Sequence, residues 1–170
     1  MTGDHYGAAS RFTVNAESCD NPVHYESYIK QSAITDNKLG LGTTYIFCNS
    51  KEDDAYDIMG FVTIKASSLV KEMGQDEKMG YPALEISELA VDEKYERQGI
   101  GRDMVDFIIG LAGTLNSEYL GIQYLLLCAD PKSVGFYKKL GFQKISNMEA
   151  IPRELWNQTC VPMSIKLIKG

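Results

Sequence analysis

The sequence predicts a mixed α/β domain, and three local features support that prediction. Residues 122–129 form a continuous apolar run, which is typical of a strand buried on both faces of a parallel sheet. Residues 83–91 have the pattern of a second strand, and a glycine-containing turn and an amphipathic helix follow them. Together these segments form a β-α-β unit, whose two strands should be parallel and joined by a right-handed crossover.

The length and composition fit a single globular domain over residues 1–170. The 170 residues are 44% hydrophobic and 24% charged, which is ordinary for a protein with a buried core. No apolar run is long enough to cross a bilayer and the N-terminus does not resemble a secretory signal, so we expect a cytoplasmic protein without membrane contact. The net charge of −6 argues against general nucleic-acid binding but leaves room for a local basic patch.

The N-terminal half carries one predicted helix among several strands. A first strand is expected at 10–16. Asn21-Pro22 supplies an N-cap and a proline at the first helical position, which predicts a helix over 23–34. β-branched and aromatic residues predict paired strands at 43–49 and 57–65. Residues 66–82 are predicted to be a long connection.

The C-terminal half continues the alternation. Apolar residues at helical spacing predict a helix over 100–114, and the Asp130-Pro131 cap together with Gly141 predicts another over 132–140. The last two strands are predicted at 142–146 and 160–168. The resulting order, β-α-β-β-β-α-β-α-β-β, corresponds to a mixed sheet of about six to seven strands with flanking helices.

The cysteines and histidines give no reason to expect a disulfide framework or a metal site. Cys48 and Cys128 lie within apolar runs, which is typical of small core residues in a reducing compartment, and no pair has CxxC spacing. His5 and His24 lack partners at ligand spacing, so no structural metal is expected.

The stretch Tyr95–Met104, YERQGIGRDM, is a glycine-containing turn between a strand and a helix. Such a turn suits phosphate binding, because a helix N-terminus presents unpaired N–H groups and glycine allows a close approach to the backbone. A dinucleotide fingerprint is excluded, since Met104 stands where its third glycine belongs. The Gly-Lys-Ser/Thr of a P-loop is also absent.

Glu96–Gly101, ERQGIG, resembles the Arg/Gln-x-x-Gly-x-Gly/Ala turn of the GNAT superfamily of N-acetyltransferases. The preceding ELAVDEKYE and the later ADPKSVGFYKKLGF resemble that family's strand and its second conserved region. The resemblance spans roughly residues 40–168. It implies an acetyl-CoA-dependent N-acetyltransferase whose two central parallel strands splay apart to hold the cosubstrate. Glu96 departs from the family's Arg or Gln, and we expect its side chain to face solvent.

The resemblance also implies which residues hold acetyl-CoA, and it implies no metal. The backbone of Leu89, Ala90 and Val91 would pair with the pantetheine arm, and the turn after them would bind the pyrophosphate. The turn residues in that role are Arg97, Gln98, Gly99, Ile100, Gly101 and Arg102. Candidates in the second region are Asp130, Ser133 and Phe136. Asp130 also has the simpler interpretation of a helix cap.

Three side chains are implied in catalysis. Tyr137 matches the family tyrosine that protonates the departing thiolate, a task that suits a phenol with a pKa close to that of a thiol. Its alternative interpretation is a core aromatic. Glu85 and Glu88 lie on the strand implied to hold the thioester, and either would take the amine proton directly or through water. Strand alternation places them on opposite faces unless a bulge intervenes, so the choice between them, or neither, stays open.

The acceptor is less defined than the cosubstrate. The first interpretation is the primary amine of a small molecule or peptide. The stretches CDN (19–21) and KLGLGTTYIFC (38–48) resemble the start of bacterial GNAT-type toxins, which makes charged tRNA and an antitoxin the alternative partners. A CoA-binding module with degenerate catalysis, suggested by Glu96, is a further alternative. Trp156 is a candidate for acceptor contact, and a two-fold homodimer is expected.

Overall fold

The computed structural model describes residues 3–50, 56–72, 77–145 and 160–167. The α-helices in these ranges are α1 Gly3–Ser10, α2 Pro22–Ser27, α3 Ala33–Leu39, α4 Ile100–Glu118 and α5 Val134–Lys139. A π-helical turn, Tyr28–Ser32, joins α2 to α3, so the predicted helix over 23–34 is present and longer than predicted. Within the described ranges, no helix combines the length and the apolar character that a membrane crossing requires.

A six-stranded mixed sheet confirms the predicted fold class. Its strands are β1 Thr43–Ser50, β2 Tyr56–Glu72, β3 Lys78–Val91, β4 Tyr124–Ala129, β5 Gln143–Lys144 and β6 Val161–Lys166. The strand order is β1-β2-β3-β4-β6-β5. β3 and β4 pair in parallel, as the β-α-β unit predicts, whereas β1 with β2, β4 with β6 and β6 with β5 pair antiparallel.

The chain forms two compact units. The first comprises Met1–Lys65 with Ser87–Val105, and the second comprises Ala66–Ile86 with Asp106–Gly170. The organisation of residues 1–170 as one domain stays a prediction.

The first unit buries a core between its N-terminal helices and strand β2. Phe12 and Tyr28 pack on Phe61, with ring centroids 5.4 Å and 5.9 Å away respectively. Gly60, beside Phe61, lies at an irregularity of the β1–β2 ladder. A Cβ atom there would come within 2.9 Å of the Ala90 carbonyl oxygen. A side chain at this position would therefore prevent β2 from packing this close to the end of β3.

The second unit has its own apolar cluster and a covalent link. Leu69, Ala83 and Leu126 are buried together. A disulfide joins Cys128, on β4, to Cys160, just before β6, across a Cα–Cα distance of 5.5 Å. This pairing follows from the antiparallel β4–β6 ladder, in which Cys128 lies opposite Pro162.

The cysteine predictions were therefore wrong for two residues. Cys128 is half of the disulfide rather than a free core thiol, and Cys48 is exposed on β1. Cys19 is buried and lies outside the disulfide. The error at Cys128 has a simple reason, since its partner is 32 positions away and only strand pairing brings the two together.

The predicted strand at 10–16 was also wrong, because side chains and the backbone N–H of Glu93, rather than a neighbouring strand, bind its backbone. The Thr13 N–H donates to Asp92 Oδ2 at 3.1 Å, and the Val14 N–H donates to Glu26 Oε1 at 3.0 Å. Phe12 is buried, as its place in an alternating pattern suggests. The alternating pattern at 10–16 therefore predicts correctly that Phe12 is buried, but this segment does not pair with a strand.

The predicted long connection at 66–82 is mostly strand. β2 continues to Glu72 and β3 starts at Lys78. Leu69, which is 1% exposed, contributes to the core of the second unit, and its burial helps to explain why the polar stretch ASSLVKE continues the strand.

Candidate active site

The turn that precedes α4 is anchored by Asp92, a buried carboxylate that is 3% exposed. Asp92 Oδ1 accepts a hydrogen bond from the Lys94 N–H at 3.0 Å, and Oδ2 accepts from the Thr13 N–H at 3.1 Å. Its own N–H donates to the Met59 carbonyl at 2.9 Å. These bonds fix where β3 ends and where the next residues, a 3-10 turn at Glu93–Tyr95, begin.

Two residues of the turn have a left-handed backbone conformation. Gly99 has φ of 93° and Arg97 has φ of 58°, both in the left-handed region. Because α4 begins at Ile100, the N–H groups of its first three residues have no intrahelical acceptor, and the Asp103 N–H donates to the Gly99 carbonyl at 3.0 Å. A Cβ at Gly99 would meet no atom within 4 Å. The open space and the helix N-terminus fit a pyrophosphate group.

The side chains around this turn differ in their surroundings. Arg97 and Arg102 are exposed. The Gln98 side chain instead donates to the Lys94 carbonyl at 2.9 Å, which leaves its backbone as the group available to a ligand.

Glu96 does not face solvent freely, contrary to the prediction. Its carboxylate accepts hydrogen bonds from the Ser18 hydroxyl and from Asn15 Nδ2, the latter at 3.2 Å. The acid that departs from the family pattern therefore holds the loop between α1 and α2 against the turn. Its charge has neutral polar partners in that loop.

The pantetheine-binding backbone predicted at Leu89, Ala90 and Val91 forms the last residues of β3. The parallel ladder with β4 joins Ala83–Ile86 to Tyr124–Leu127, and β3 itself continues to Val91. Leu89–Val91, the turn Arg97–Arg102 and Glu88 all belong to the first unit.

Glu88, one of the two predicted base candidates, pairs with His24. His24 Nε2 lies 2.9 Å from Glu88 Oε2, with side-chain exposures of 48% and 16% respectively. The hydrogen bond to Glu88 raises the pKa of His24 above its ordinary value, partial burial opposes that rise, and the Glu88 charge adds to it. Glu85 belongs to the second unit, opposite Leu126 in the parallel ladder.

Tyr137 lies on α5 in the second unit and is buried at 7% exposure. Phe136 and Phe142 flank its ring edge-on at 4.9 Å and 5.7 Å. Burial, and secondly the charge of Asp130, raise the pKa of Tyr137 well above its usual value. The expectation of a phenol pKa close to that of a thiol was therefore wrong, because burial disfavours the phenolate. The phenol stays protonated at neutral pH and keeps a proton to donate.

Asp130 performs the capping role that its position predicts. Its Oδ1 accepts from the Lys132 N–H at 2.9 Å, and its carbonyl accepts from the Ser133 N–H at 2.8 Å. The cap precedes α5 and so helps to position Tyr137. Trp156 lies outside the described residues.

Sequence reasoning missed His24 and Asp92. His24 was considered only as a metal ligand, whereas its partner Glu88 is 64 positions away. The Asn21 cap, whose Oδ1 accepts from the His24 N–H at 3.3 Å, was a signal that this histidine sits in the first turn of a helix. The signal for Asp92 was an acid directly after a predicted strand. An Asp in such a position often accepts a hydrogen bond from the N–H two residues later, here that of Lys94.

Comparison with known families identifies the domain. A model of the acetyltransferase (GNAT) domain matches residues 45–144, which include most of β1, all of β2–β5, the turn before α4 and Tyr137. Among the described residues, no three His, Cys, Asp or Glu side chains cluster as a metal site would require.

Similar solved structures include several bacterial toxins. A mutant of the toxin AtaT, bound to the C-terminus of the antitoxin AtaR and to acetyl-CoA, is 17% identical with a TM-score of 0.70, covering 94% of this chain and 85% of that one. AtaT complexed with acetyl-methionyl-tRNAfMet is 17% identical with a TM-score of 0.68, covering 91% and 85%. A mutant of KacT is 15% identical with a TM-score of 0.71, covering 98% and 92%. The likeness thus extends well beyond residues 45–144 to nearly the whole fold.

Proposed function

We propose that this chain, which belongs to the GNAT acetyltransferase family, is an N-acetyltransferase that transfers the acetyl group of acetyl-CoA to the α-amino group of an aminoacyl-tRNA. The observation that carries the acceptor is the likeness over 91% of the chain to a toxin complexed with an acetylated aminoacyl-tRNA. That likeness includes the N-terminal part, which the family model does not cover.

The turn before α4 is proposed to hold the pyrophosphate of acetyl-CoA. Backbone N–H groups of Gly99–Arg102 would donate to the phosphate oxygens, and the exposed Arg97 and Arg102 would add charge. The backbone of Leu89–Val91 would pair with the pantetheine arm, because strand N–H and C=O groups need partners. Acetyl-CoA supplies the activated thioester, and the chain supplies its orientation and the proton transfers.

Tyr137 is proposed as the acid that protonates the sulfur. Its raised pKa keeps the phenol protonated at neutral pH, and its flanking rings hold it in one orientation. The other required group is a base for the amine, since an ammonium nitrogen has no lone pair with which to attack. Glu85 and Glu88 remain the two glutamates proposed for this part of the reaction.

A local basic stretch supports a tRNA acceptor despite the net charge of −6. Residues 130–145 contain one acid, Asp130, and four exposed lysines, Lys132, Lys138, Lys139 and Lys144. Contacts between lysine side chains and backbone phosphates give most of the affinity of proteins for nucleic acids. An antitoxin partner is proposed on the likeness to AtaT bound to AtaR.

The second candidate acceptor is a small amine or a peptide N-terminus, and the overall acidity favours it. A protein with net charge −6 repels tRNA at long range and attracts cationic amines such as polyamines. Activity on small amines alone would select this candidate. A CoA-binding module without catalysis would bind acetyl-CoA and release no thiol with any amine.

A thiol-release assay with matched acceptors distinguishes these functions. Charged tRNA, uncharged tRNA, polyamines, free amino acids and short peptides are compared at equal amine concentration. The proposal predicts thiol release with charged tRNA and none with uncharged tRNA, since only the former carries an α-amino group. Release with polyamines or peptides but not with charged tRNA contradicts the proposed acceptor and leaves the acetyltransferase assignment intact.

A further inference from the structure

His24 and Glu88 form a carboxylate–imidazole pair within the first unit. The ring nitrogen Nε2 lies 2.9 Å from Glu88 Oε2. With the Nε2–H donating to the carboxylate, the other ring nitrogen, Nδ1, carries the lone pair. Among the described residues, no hydrogen bond to Nδ1 competes for that lone pair.

The imidazole is held in one orientation by the packing around it. The Tyr25 ring meets it edge-on at 5.2 Å, and the Tyr28 ring lies 6.4 Å away. Tyr28 in turn stacks on Phe61, and its hydroxyl interacts with Thr63 and Thr44. The half-exposed histidine therefore rests on a buried, hydrogen-bonded support.

In the His24–Glu88 pair, Glu88 lies on β3 beside the backbone proposed to hold the cosubstrate, where the proposed reaction needs a base for the amine. Glu88 directly precedes Leu89–Val91, the backbone proposed to hold the pantetheine arm. A carboxylate of 16% exposure paired with a histidine of 48% exposure connects this strand to solvent. A proton taken up by the imidazole can therefore leave to water.

We infer that His24 is the general base of the acetyl transfer and that Glu88 is its positioning residue, an inference that rests on the proposed acetylation of an amine. Glu88 fixes the tautomer of the ring and stabilises the imidazolium that forms, as a carboxylate does for histidine in other acyl-transfer sites. This assignment removes the choice between two glutamates, because Glu88 acts through His24 and Glu85 has no part in the base.

The proton balance of the reaction is simple. The acceptor ammonium gives one proton to His24 Nδ1, and its nitrogen gains the lone pair that forms the new C–N bond. The C–S bond of the thioester breaks with its electrons on sulfur. After the C–N bond forms, the nitrogen loses its second proton to water. Tyr137 is proposed to give its proton to the thiolate and then takes one back from water, so these two transfers cancel. One proton in total is released, from His24 to water.

The charged and titratable groups near His24 make a pH test specific. Glu88 faces it from β3, and Tyr25 and Tyr28 face it from its own helical segment. Burial, as the largest cause, raises the pKa of Tyr28, so that phenol stays neutral in the relevant range. Asp36 and Glu88 act on Tyr28 in the same direction. The hydrogen bond to Glu88 is the largest cause of the raised pKa of His24, and burial opposes it.

The test is the pH profile of kcat/KM for the wild type and for three variants, taken with the best amine acceptor found. In the wild type, kcat/KM should fall as the pH drops through the raised pKa of His24, because the protonated ring is no base. His24→Gln keeps a donor for Glu88 but does not titrate. It should remove that acid limb and lower kcat/KM by about 10²-fold to 10⁴-fold, with acetyl-CoA affinity unchanged. Glu88→Gln should shift the limb to lower pH, because it removes the cause of the raised pKa.

Lys30→Gln is the matched control, since it breaks another ion pair of the same helical segment, Lys30 with Glu26 at 3.6 Å. It should leave the profile unchanged. An acid limb that persists in His24→Gln, or an equal loss of kcat/KM in Lys30→Gln, overturns the inference. The proposed tRNA acceptor is tested separately. If the wild type acetylates only small amines, that acceptor is disproved. The pH profiles of kcat/KM for the wild type and His24→Gln still test whether His24 is the general base.

Discussion

Asn15 Nδ2 donates a hydrogen bond to Glu96 Oε2 at 3.2 Å, so the acid at the start of the turn before α4 is bound by the loop after α1. The Ser18 hydroxyl donates to the other carboxylate oxygen. The acid at this position thus has a structural task in this chain. Glu96 connects two segments 78 or more positions apart in the sequence.

Removal of the Glu96 carboxylate should destabilise the fold more than it affects the cosubstrate. Glu96→Ala is expected to lower the free energy of unfolding by about 1–2 kcal/mol, because two hydrogen bonds to a partly buried charged group are lost. Urea unfolding measures this change. Glu17→Ala, at an exposed carboxylate of the same loop, is the control and should change stability by less than about 0.5 kcal/mol. Equal effects of the two substitutions would refute the anchoring role of Glu96.

Tyr137→Phe should separate catalysis from binding. Loss of the hydroxyl is expected to lower kcat by about 10²-fold to 10⁴-fold, while the ring still packs between Phe136 and Phe142 and acetyl-CoA still binds. Tyr119→Phe, at 74% exposure, is the control and should leave kcat unchanged. The raised pKa of Tyr137 means that the folded state favours the neutral phenol. The rate should therefore show no alkaline limb from this group below about pH 10. Parallel loss of acetyl-CoA binding and kcat would instead mean a structural role for Tyr137.

Arg97→Gly should weaken cosubstrate binding without a matching loss of stability. Arg97 has φ of 58°, so glycine relieves backbone strain there and offsets the greater flexibility that it brings to the unfolded chain. The free energy of unfolding should stay within about 1 kcal/mol of the wild type. Calorimetry should show about a tenfold loss of affinity for acetyl-CoA, which corresponds to one lost charge-assisted hydrogen bond. Acetyl-pantetheine, which lacks the pyrophosphate, is the ligand control, and an equal loss with it would argue against phosphate binding by Arg97.

Reduction of the Cys128–Cys160 disulfide should destabilise the fold. The link closes a sequence separation of 32 residues, for which chain entropy predicts a loss of about 3–4 kcal/mol on reduction. Urea unfolding with and without a reductant measures it, and a Cys128→Ser variant should no longer respond to the reductant. Cys48→Ser, at an exposed free cysteine, should respond as the wild type does. A wild type whose stability is the same with and without reductant would contradict the expected stabilisation.

The sequence predicted the structure correctly where the local residues of a segment determine its secondary structure. The continuous apolar run of β4, the capping signals before α2 and α5, and the helical spacing of α4 were all predictable, because propensity and burial agree there. Errors arose where a distant residue decides. Thr13 and Val14 look like a strand, but their N–H groups bind Asp92 and Glu26.

The candidate site follows the same division. The turn proposed to bind phosphate is a local motif and could be recognised from Gly99 and Gly101. The contact between His24 and Glu88 spans 64 positions, and the raised pKa of Tyr137 comes from burial. Both depend on tertiary packing, which cannot be read from the patterns of a single sequence.

The central claim is tested most directly by following radiolabelled acetyl from acetyl-CoA into aminoacyl-tRNA. The wild type and Tyr137→Phe are incubated with charged tRNA, and with the same tRNA after its ester bond has been hydrolysed. The account predicts that the wild type places label on the α-amino group of the charged tRNA, that the variant places far less, and that hydrolysed tRNA takes up none. Binding of acetyl-CoA with no label on charged tRNA, or label that is equally present after hydrolysis, would contradict it.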